Sequence, residues 1–320
     1  MPKISIITTT YKHSDYIKET IESVLSQTFT NWELLIGDDS PDDETWHIIE
    51  SYVNKYPNKI KAWHNFPNKG IIDNMNFLIE RVSLESKYIA FLEGDDLFIA
   101  ENLEKKIDIF NKYSDVKLVY NNLDFINKDG KIILKNFLKK SPFYLKNKKL
   151  SKKDFIKNET FYGSYSTLMI DKEVLQKERI INPTQDKLYS VSDWDLFFRI
   201  SIKYNCYGIE ESLTLYRRLE SSVSRNNIKL FNDLEIQIKE YLKSSFIDKS
   251  LYDFKMSFIS ILKSVSYIEN NEKIKSLSEF RKSLKYNLFS FPIYKIAIIT
   301  FLILPSSLNK IILKKLIKRG

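Results

Sequence analysis

The segment FLEGDDLFI, residues 91–99, places three carboxylates around one glycine and between two apolar runs. Glu93, Asp95 and Asp96 carry like charges at close spacing, and each carboxylate costs free energy when it lies near apolar surface. The apolar run at 87–92 predicts a buried strand that ends in this acidic turn. Two explanations remain: the turn is solvated, or the carboxylates bind a cation.

Strand and helix patterns alternate, with short connections, over the first hundred residues. Apolar runs predict strands at 3–9, 32–37, 60–64 and 87–92, and amphipathic patterns predict helices at 17–25, 43–56 and 70–81. This order predicts βαβ units and a parallel sheet, whose strands are covered on both faces and are therefore continuously apolar.

Polar clusters follow three of these strands, at 9–11, 38–39 and 93–96. In open α/β sheets, ligands bind at the carboxyl ends of the strands, so these clusters predict one binding site at one edge of the sheet. The chain has only 7 glycines and neither a GxGxxG nor a Walker-type loop. A nucleotide bound here would therefore need a metal ion against its phosphates.

The composition excludes several classes of protein. With 320 residues, 43% of them hydrophobic, the chain can form one large core or two smaller ones. Cys206 is the single cysteine, which excludes an intramolecular disulfide and a cysteine-based zinc site and is typical of a reducing compartment. The first residues lack the apolar run of a signal peptide, so we expect a cytoplasmic location.

The net charge of +9 arises at the C-terminal end of the chain. No acidic residue follows Glu279, whereas nine basic residues do, so residues 1–279 are formally neutral and do not indicate nucleic-acid binding. Residues 288–320 combine the apolar run IAIITFLIL with a lysine-rich amphipathic stretch. This pattern predicts peripheral association with the anionic inner face of the cell membrane. The alternative is a helix that docks on the body and exposes its lysines.

Four blocks of the sequence resemble the family 2 glycosyltransferases with a GT-A fold. They are SIITTTYK (5–12), ESVLSQTFTNWELLIGDDSPDDET (22–45), NKGIIDNMN (68–76) and EGDD (93–96). The resemblance extends over residues 3–220 and implies an α/β fold, with a Rossmann-like, mostly parallel sheet flanked by helices and a C-terminal helical extension. The implied divisions are a nucleotide-sugar-binding half at 1–105, an acceptor-binding half at 106–225, and a helical extension with the membrane-associating segment at 226–320.

The resemblance also implies which residues bind the donor. Thr9 and Tyr11 would line the nucleotide pocket, with Tyr11 stacking near the base. Asp39 would accept a hydrogen bond from a uracil-type imide N–H, with Asp38 beside it. For this aspartate pair the alternative is an Asx turn that leads into the next helix. The remaining implied donor contacts are Lys69, Asn76 and Asp95.

EGDD stands at the position of the family's metal-binding motif. Mg²⁺ and Mn²⁺ prefer carboxylate oxygens, so the resemblance implies that Asp95 and Asp96 hold one of these cations against the donor diphosphate. Relatives often have Asp at the first position, where this chain has Glu93. The extra methylene of Glu93 lets its carboxylate still reach the site, through water or the ribose.

The segment VSDWDLFFRI, residues 191–200, resembles the helix start that carries the family's catalytic base. Asp193 takes that position and would remove the proton of an acceptor hydroxyl as its oxygen attacks and inverts the anomeric carbon. The alternative is that Asp193 and Asp195 only stabilise the first helical turn through the helix dipole. For Asp195 we expect this structural role.

Three further positions depart from the family pattern: Met75 stands where relatives often have Arg, Ser192 where they have Glu, and Leu219 where they can have a metal-binding His. In place of that histidine, we expect Arg217 or Arg218 to hold phosphate. The three departures motivate a second hypothesis, a non-catalytic nucleotide-sugar-binding or scaffold protein. Nucleotidyl transfer is disfavoured because no glycine-rich, basic loop lies near the start of the chain. The leading prediction is an inverting, metal-dependent glycosyltransferase. It would transfer a sugar from a nucleotide-linked donor, UDP being the expected carrier, to a saccharide or lipid-linked acceptor in cell-surface polysaccharide or lipopolysaccharide biosynthesis.

Overall fold

The computed structural model describes residues 3–140, 148–150, 163–180, 191–219 and 227–287. The chain divides into two compact units. The first comprises Met1–Asn182 and Ser192–Leu219, and the second comprises Pro183–Val191 and Glu220–Gly320. The predicted division of the first unit at residue 105 stays a prediction.

The described part of the first unit contains ten strands and six α-helices, which alternate up to β4. Its strands are β1 (Lys3–Thr10), β2 (Trp32–Asp38), β3 (Ile60–His64), β4 (Ser86–Phe91), β5 (Leu97–Phe98), β6 (Val116–Ile126), β7 (Ile132–Leu134), β8 (Lys148–Leu150), β9 (Leu168–Asp171) and β10 (Asn205–Arg217). Its helices are α1 (Ile17–Leu25), α2 (Glu44–Lys55), α3 (Ile71–Ile79), α4 (Asn102–Lys112), α5 (Lys172–Glu178) and α6 (Ser192–Ser201). The elements predicted for the first hundred residues are confirmed, and their ends differ by two residues at most.

All ten described strands belong to one sheet. The order is β3-β2-β1-β4-β9-β6-β10-β5, with β7 paired to β6 and β8 paired to β10. Strands β1 to β4 are parallel, as predicted, and β6 and β10 form a further parallel pair. Strand β9 runs antiparallel between β4 and β6 and joins the two halves of the sheet. The sheet is therefore mixed, which the alternation of apolar runs did not predict for β9.

The central strands are buried on both faces because side chains alternate between two cores. Ile6 and Leu34 belong to the core that α1, α2 and α4 cover. Ile7 and Leu35, the next residue on each strand, belong to the core that α3, α5 and α6 cover. This arrangement explains the continuous apolar runs of β1 and β2, and it leaves the strand ends as the places for polar groups.

A buried carboxylate lies near the start of β2, away from the predicted site. Glu33 Oε1 accepts hydrogen bonds from Ser5 Oγ and from the Ser83 amide, both at 2.7 Å. The Nζ atoms of Lys3 and Lys61 lie 3.6 and 3.5 Å from Oε2. Burial alone would raise the pKa of Glu33, but these hydrogen bonds and lysines together lower it.

Glu33→Gln is expected to destabilise the protein at neutral pH and to weaken its acid sensitivity. Because the folded pKa is lowered, Glu33 stabilises the fold above its unfolded pKa of about 4.3 and loses that contribution as the pH falls through the folded value. The expected cost at neutral pH is about 1–3 kcal/mol of unfolding free energy. Urea titrations between about pH 3 and pH 7 measure it, with the exposed Glu80→Gln as control. An equal loss for Glu33→Gln at both ends of that range would contradict the assignment.

The described part of the second unit is helical, as the resemblance implied for a C-terminal helical extension. Its helices are α7 (Asn227–Lys243), α8 (Lys249–Glu269) and α9 (Lys273–Tyr286). Asp248 caps α8, because its Oδ1 accepts the Leu251 amide at 2.8 Å. Ile261 of α8 and Phe280 of α9 form a small buried apolar cluster.

No helix in the described ranges has the length and apolar character needed to cross a bilayer. The segment predicted to associate with the membrane, residues 288–320, lies outside the described residues, so that association stays a prediction.

Candidate functional site

The carboxyl ends of β1, β2 and β4 meet at one edge of the sheet. The amide of Asp39, just after β2, donates to Thr10 O at 2.9 Å. The amide of Gly94, just after β4, donates to Thr9 O at 3.0 Å. These two hydrogen bonds attach both segments to the end of β1, so the three predicted polar clusters share one edge.

Gly94 allows the acidic turn to pass close to β1. A Cβ atom at Gly94 would lie 2.6 Å from Thr10 Cβ and 2.7 Å from Thr10 Oγ1, which is closer than such atoms approach without displacement. Thr20 Oγ1 donates to Gly94 O at 3.1 Å and to Asp96 O at 2.9 Å. The glycine of EGDD is therefore required by the close approach of the two segments.

The Asp39 carboxylate is held by a network of amides. Its Oδ1 accepts hydrogen bonds from Asn65 Nδ2 at 2.9 Å and from the Lys69 backbone amide at 3.3 Å. Asn65 also donates to Asn74 Oδ1 at 3.1 Å, and Asn74 donates to Gly37 O at 2.9 Å. The protein's own amide groups thus orient Asp39. Sequence reasoning missed Asn65 and Asn74, although Asn74 belongs to the NKGIIDNMN block.

Asp38 has a different environment from its neighbour. Its Oδ1 accepts from the Ser40 amide at 3.0 Å and from Ser40 Oγ at 2.6 Å, which is the Asx-type turn that was the alternative for this pair. Its Oδ2 is buried and accepts no hydrogen bond from the described residues, with His64 Nε2 at 3.8 Å. Burial raises the pKa of Asp38 despite these hydrogen bonds. The Asp38 side chain therefore stabilises the loop that follows β2. The Asp39 side chain does not form an Asx-type turn.

Asp96 anchors the acidic turn to the second half of the sheet. It is fully buried, its Oδ2 accepts from Ser166 Oγ at 2.6 Å, and its Oδ1 accepts from the Arg217 amide at 2.8 Å. Ser166 Oγ also accepts the Glu93 amide at 3.0 Å. Both oxygens of Asp96 are thus engaged by protein donors. The sequence carried no signal for Ser166.

Arg217, at the end of β10, fastens the turn with its side chain. Its Nε donates to Asp95 O at 2.9 Å, and its Nη1 donates to the carbonyls of Asn127 and Lys128 at 3.1 and 2.9 Å. Its Nη2 donates to Glu19 on α1 at 2.6 Å. The expectation that Arg217 holds phosphate is therefore corrected, because this buried guanidinium already serves four protein acceptors.

Arg217→Lys is expected to lower the unfolding free energy by about 2–4 kcal/mol. A single ammonium cannot replace a planar group that reaches four acceptors, so buried acceptors lose their donors. Urea unfolding measures the loss. Arg218→Lys is the matched control, because Arg218 is exposed and its guanidinium lies 4.9 Å from the ring centre of Phe125. Equal effects at the two positions would contradict the anchoring role.

Glu93 and Asp193 come within electrostatic reach of each other. Burial, followed by the charges of Asp96, Asp95 and Asp193, raises the pKa of Glu93 well above its usual range. The start of α6 therefore faces the acidic turn, although one hundred residues separate the two carboxylates in the sequence. Burial and the charge of Asp193 likewise raise the pKa of the nearby Tyr165 hydroxyl.

Asp95 is half-buried at the tip of the turn. Burial raises its pKa, while His13 and Arg217 act in the opposite direction. His13 lies close to the glycine of the turn, since a Cβ at Gly94 would lie 3.0 Å from its Nδ1. The structure therefore places His13 beside the acidic turn, which the sequence did not indicate.

The donor set of the turn suits a hard divalent cation. Glu93 and Asp95 are half-buried carboxylates whose mutual repulsion a cation would relieve. Asp96 could offer only the lone pairs that Ser166 and Arg217 leave free. Within the described ranges, no three acidic, histidine or cysteine side chains already converge as a preformed metal site.

Asp193 and Asp195, two residues apart on α6, have different contacts. Asp193 is half-buried, and its Oδ1 accepts the Trp194 amide at 2.7 Å. Asp195 is buried, and its Oδ2 accepts from Arg199 Nε at 2.8 Å. This buried ion pair links Asp195 to Arg199 one turn later on the same helix, and the role expected for Asp195 in the helix dipole stays a prediction.

The other predicted donor contacts occupy different positions. Tyr11 follows β1 and is 47% exposed. Lys69 is exposed and lies beside Asp39 through its backbone. Asn76 donates to Ile180 O at 2.8 Å and does not join the network around Asp39. Met75, at the position where relatives often have Arg, is buried in the core.

Residues 5–179 match the family model described as Glycosyl transferase family 2. TuaG of Bacillus subtilis (strain 168), named as a glycosyltransferase of teichuronic acid biosynthesis, is 30% identical over 228 residues, 71% of this chain and 84% of TuaG. WfgD of Escherichia coli, a UDP-Glc:α-D-GlcNAc-diphosphoundecaprenol β-1,3-glucosyltransferase, is 29% identical over 228 residues, 71% of this chain and 81% of WfgD.

Two solved structures share the fold at low sequence identity. S. aureus TarS 1–349, in complex with UDP-GlcNAc, matches with a TM-score of 0.61 and 13% identity, over 99% of this chain and 90% of that chain. The Pyrobaculum calidifontis mannosyltransferase PcManGT, in complex with GDP-Man and Mn²⁺, matches with a TM-score of 0.52 and 13% identity, over 99% of this chain and 87% of that chain.

Proposed function

This chain belongs to glycosyl transferase family 2, and from that premise we propose that it transfers a sugar from a UDP-linked donor to a saccharide or lipid-linked acceptor of a cell-surface glycan. The observation that carries the proposal is the meeting of Asp39, the acidic turn and Asp193 at one edge of the sheet. The names of TuaG and WfgD support a surface glycan as the product. The UDP-GlcNAc bound to TarS supports a UDP-linked donor.

The nucleoside would bind at the ends of β1 and β2. The amide network fixes one oxygen of Asp39 and leaves the carboxylate able to accept a further hydrogen bond from the imide N–H of uracil. Thr9 and the exposed ring of Tyr11 would line this pocket, and Asp38 would hold the loop that carries Asp39. Lys69 and Asn76 remain proposed donor contacts, with the Nζ of Lys69 as a cation for phosphate.

A divalent metal, Mg²⁺ or Mn²⁺, would neutralise the charge of the departing diphosphate. Asp95 and Glu93 would hold it. Both carboxylates are half-buried, and a bound cation would relieve the repulsion between their charges. Asp96 is the third proposed ligand, although its main contacts are with Ser166 and Arg217. The Mn²⁺ in PcManGT supports this use of a metal in the fold.

Asp193 would be the catalytic base. It would take the proton of the acceptor hydroxyl while that oxygen forms a bond to the anomeric carbon and the bond from that carbon to the diphosphate breaks. One such displacement inverts the anomeric carbon. The Asp195–Arg199 ion pair stabilises α6 and takes no part in the proton transfer of this proposal.

Donor identity is tested by thermal shift with a panel of nucleotide sugars, each with Mg²⁺, with Mn²⁺ or with a chelator. A ligand at about one hundred times its Kd adds about 2.7 kcal/mol to folded-state stability, so a cognate UDP-sugar with metal should raise the Tm by several degrees. The CDP-linked sugars are the matched control, because cytosine is also a pyrimidine but has no imide N–H to donate to Asp39. A larger shift with CDP-sugars would contradict the assignment of Asp39.

The second candidate is a nucleotide-sugar-binding or scaffold protein without catalysis. Ser192 stands where the family pattern has Glu, and Met75 is a core residue where relatives often have Arg. Calorimetry combined with a transfer assay separates the candidates. Donor binding without hydrolysis or transfer, across a panel of acceptors, would favour the scaffold.

For residues 288–320 we retain the proposal of peripheral association with the inner face of the cell membrane. Their apolar run and lysines support it. Truncation after about residue 285 should lower the fraction of the protein that sediments with membranes, and an unchanged fraction would contradict this role.

A further inference from the structure

Helix α9 has one buried face and one exposed face. Ser276, Phe280 and Ser283 are buried against its own unit. Ile274 and Leu277 point away from that core, and Ile274 is 87% exposed. A large apolar side chain left almost fully in water on an ordered helix marks a surface for interaction when other apolar and charged groups surround it.

The exposed face of α9 carries cations at helical spacing around these apolar residues. Arg281, Lys282 and Lys285 are exposed, and the single acidic residue of α9, Glu279, is buried. Lys282 pairs with Glu279 at 2.7 Å. Six side chains share this face: Ile274, Leu277, Ser278, Arg281, Lys282 and Lys285.

We propose that this face of α9 docks on an anionic lipid bilayer. Ile274 and Leu277 would enter the boundary between headgroups and acyl chains, and Arg281, Lys282 and Lys285 would bind headgroup phosphates. The proposal goes beyond sugar transfer and does not depend on it, because it concerns where the protein binds and not what it transfers.

Charge complementarity selects the bilayer among the possible occupants. Residues 288–320 contain six basic and no acidic residues, so covering the α9 face with them would bring like charges together. A second copy that used the same face would oppose two basic surfaces for the same reason. An anionic bilayer supplies both the opposite charge and an apolar phase for Ile274.

The test is sedimentation of the full chain with sucrose-loaded vesicles. Vesicles of phosphatidylcholine alone are compared with vesicles that also contain phosphatidylglycerol, without donor or metal. The variant Ile274→Ser/Arg281→Glu/Lys285→Glu removes the apolar residue and reverses two charges. The matched control, Ile236→Ser/Lys243→Glu/Lys249→Glu, makes the same changes at exposed residues of α7 and α8. A milder variant, Arg281→Gln/Lys285→Gln, preserves the test if the first one fails to fold.

The wild-type chain should partition onto the anionic vesicles, and the α9 variant should lose at least about tenfold in the partition coefficient. The control should change it by less than about threefold, and about 0.5 M salt should weaken wild-type binding. Four outcomes would overturn the proposal: unchanged binding of the α9 variants, an equal loss in the control, dissociation of a lipid-free oligomer by the α9 variant, or increased trypsin cleavage within 288–320 in the lipid-free variant. The last two would identify a second copy or the chain's own segment as the occupant.

Discussion

Asp95→Asn is expected to lower kcat/KM for sugar transfer by at least about a hundredfold with little change in Tm. The fold uses this residue through its backbone, because Arg217 Nε donates to Asp95 O, and asparagine keeps that carbonyl. The side chain is half-buried and is the proposed ligand for the metal. Removing its negative charge should weaken metal and diphosphate binding without unfolding the acidic turn.

Transfer assays over a range of Mn²⁺ concentrations, together with calorimetry of Mn²⁺ binding in the presence of UDP, measure this effect. Asp108→Asn is the control, since Asp108 is an exposed aspartate on α4. Asp96→Asn provides a contrast, because it weakens two buried hydrogen bonds and should cost about 1–3 kcal/mol of stability as well. Full turnover by Asp95→Asn at low Mn²⁺ would reject the metal assignment.

Asp193→Asn is expected to reduce kcat by about 10²- to 10⁴-fold while donor affinity stays unchanged. Asparagine keeps the oxygen that accepts the Trp194 amide, so the helix start should remain intact. It cannot take a proton from the acceptor hydroxyl at neutral pH. The loss should therefore appear in kcat and not in the Kd for the donor, which calorimetry measures separately.

Asp195→Asn is the matched control on the same helical turn. It breaks the buried ion pair with Arg199, so it should cost about 3 kcal/mol of unfolding free energy. At temperatures where the variant is folded, most of its turnover should remain. If Asp193→Asn kept wild-type turnover, or if both variants lost stability and activity alike, the base would have to be assigned elsewhere.

Much of the fold was predictable because its signals are local. The runs at 32–37 and 60–64 are bounded by polar segments, and both became the predicted strands within a residue. The antiparallel direction of β9 was not predictable, because a short apolar run pairs equally well in either direction until its neighbours are fixed. The polar residues Asn121 and Asn122 interrupt the apolar run of β6, so the local pattern predicts a strand that ends at residue 120 and not at Ile126, where β6 ends.

The candidate site was predictable only in part. EGDD and VSDWDLFFRI resemble motifs of the family, so the sequence predicted their acidic residues Glu93, Asp95, Asp96 and Asp193 as site residues. Asn76 was predicted as a donor contact, whereas the structure brings Asn74, two residues earlier, into the Asp39 network. Asn74 and Asn76 lie on different faces of α3, because residues two apart on a helix point in different directions.

The sequence by itself determined the alternation of strands and helices, the polar strand ends and the neutral body with its basic end. Each of these follows from local spacing, composition or resemblance. Only the tertiary structure decided that Arg217 fastens the acidic turn, that Ser166 bridges Glu93 and Asp96, and that one face of α9 stays exposed. The physical reason is that hydrogen bonds between residues far apart in the chain, and the exposure of a helix face, depend on which elements pack together. No local pattern of residues records that packing.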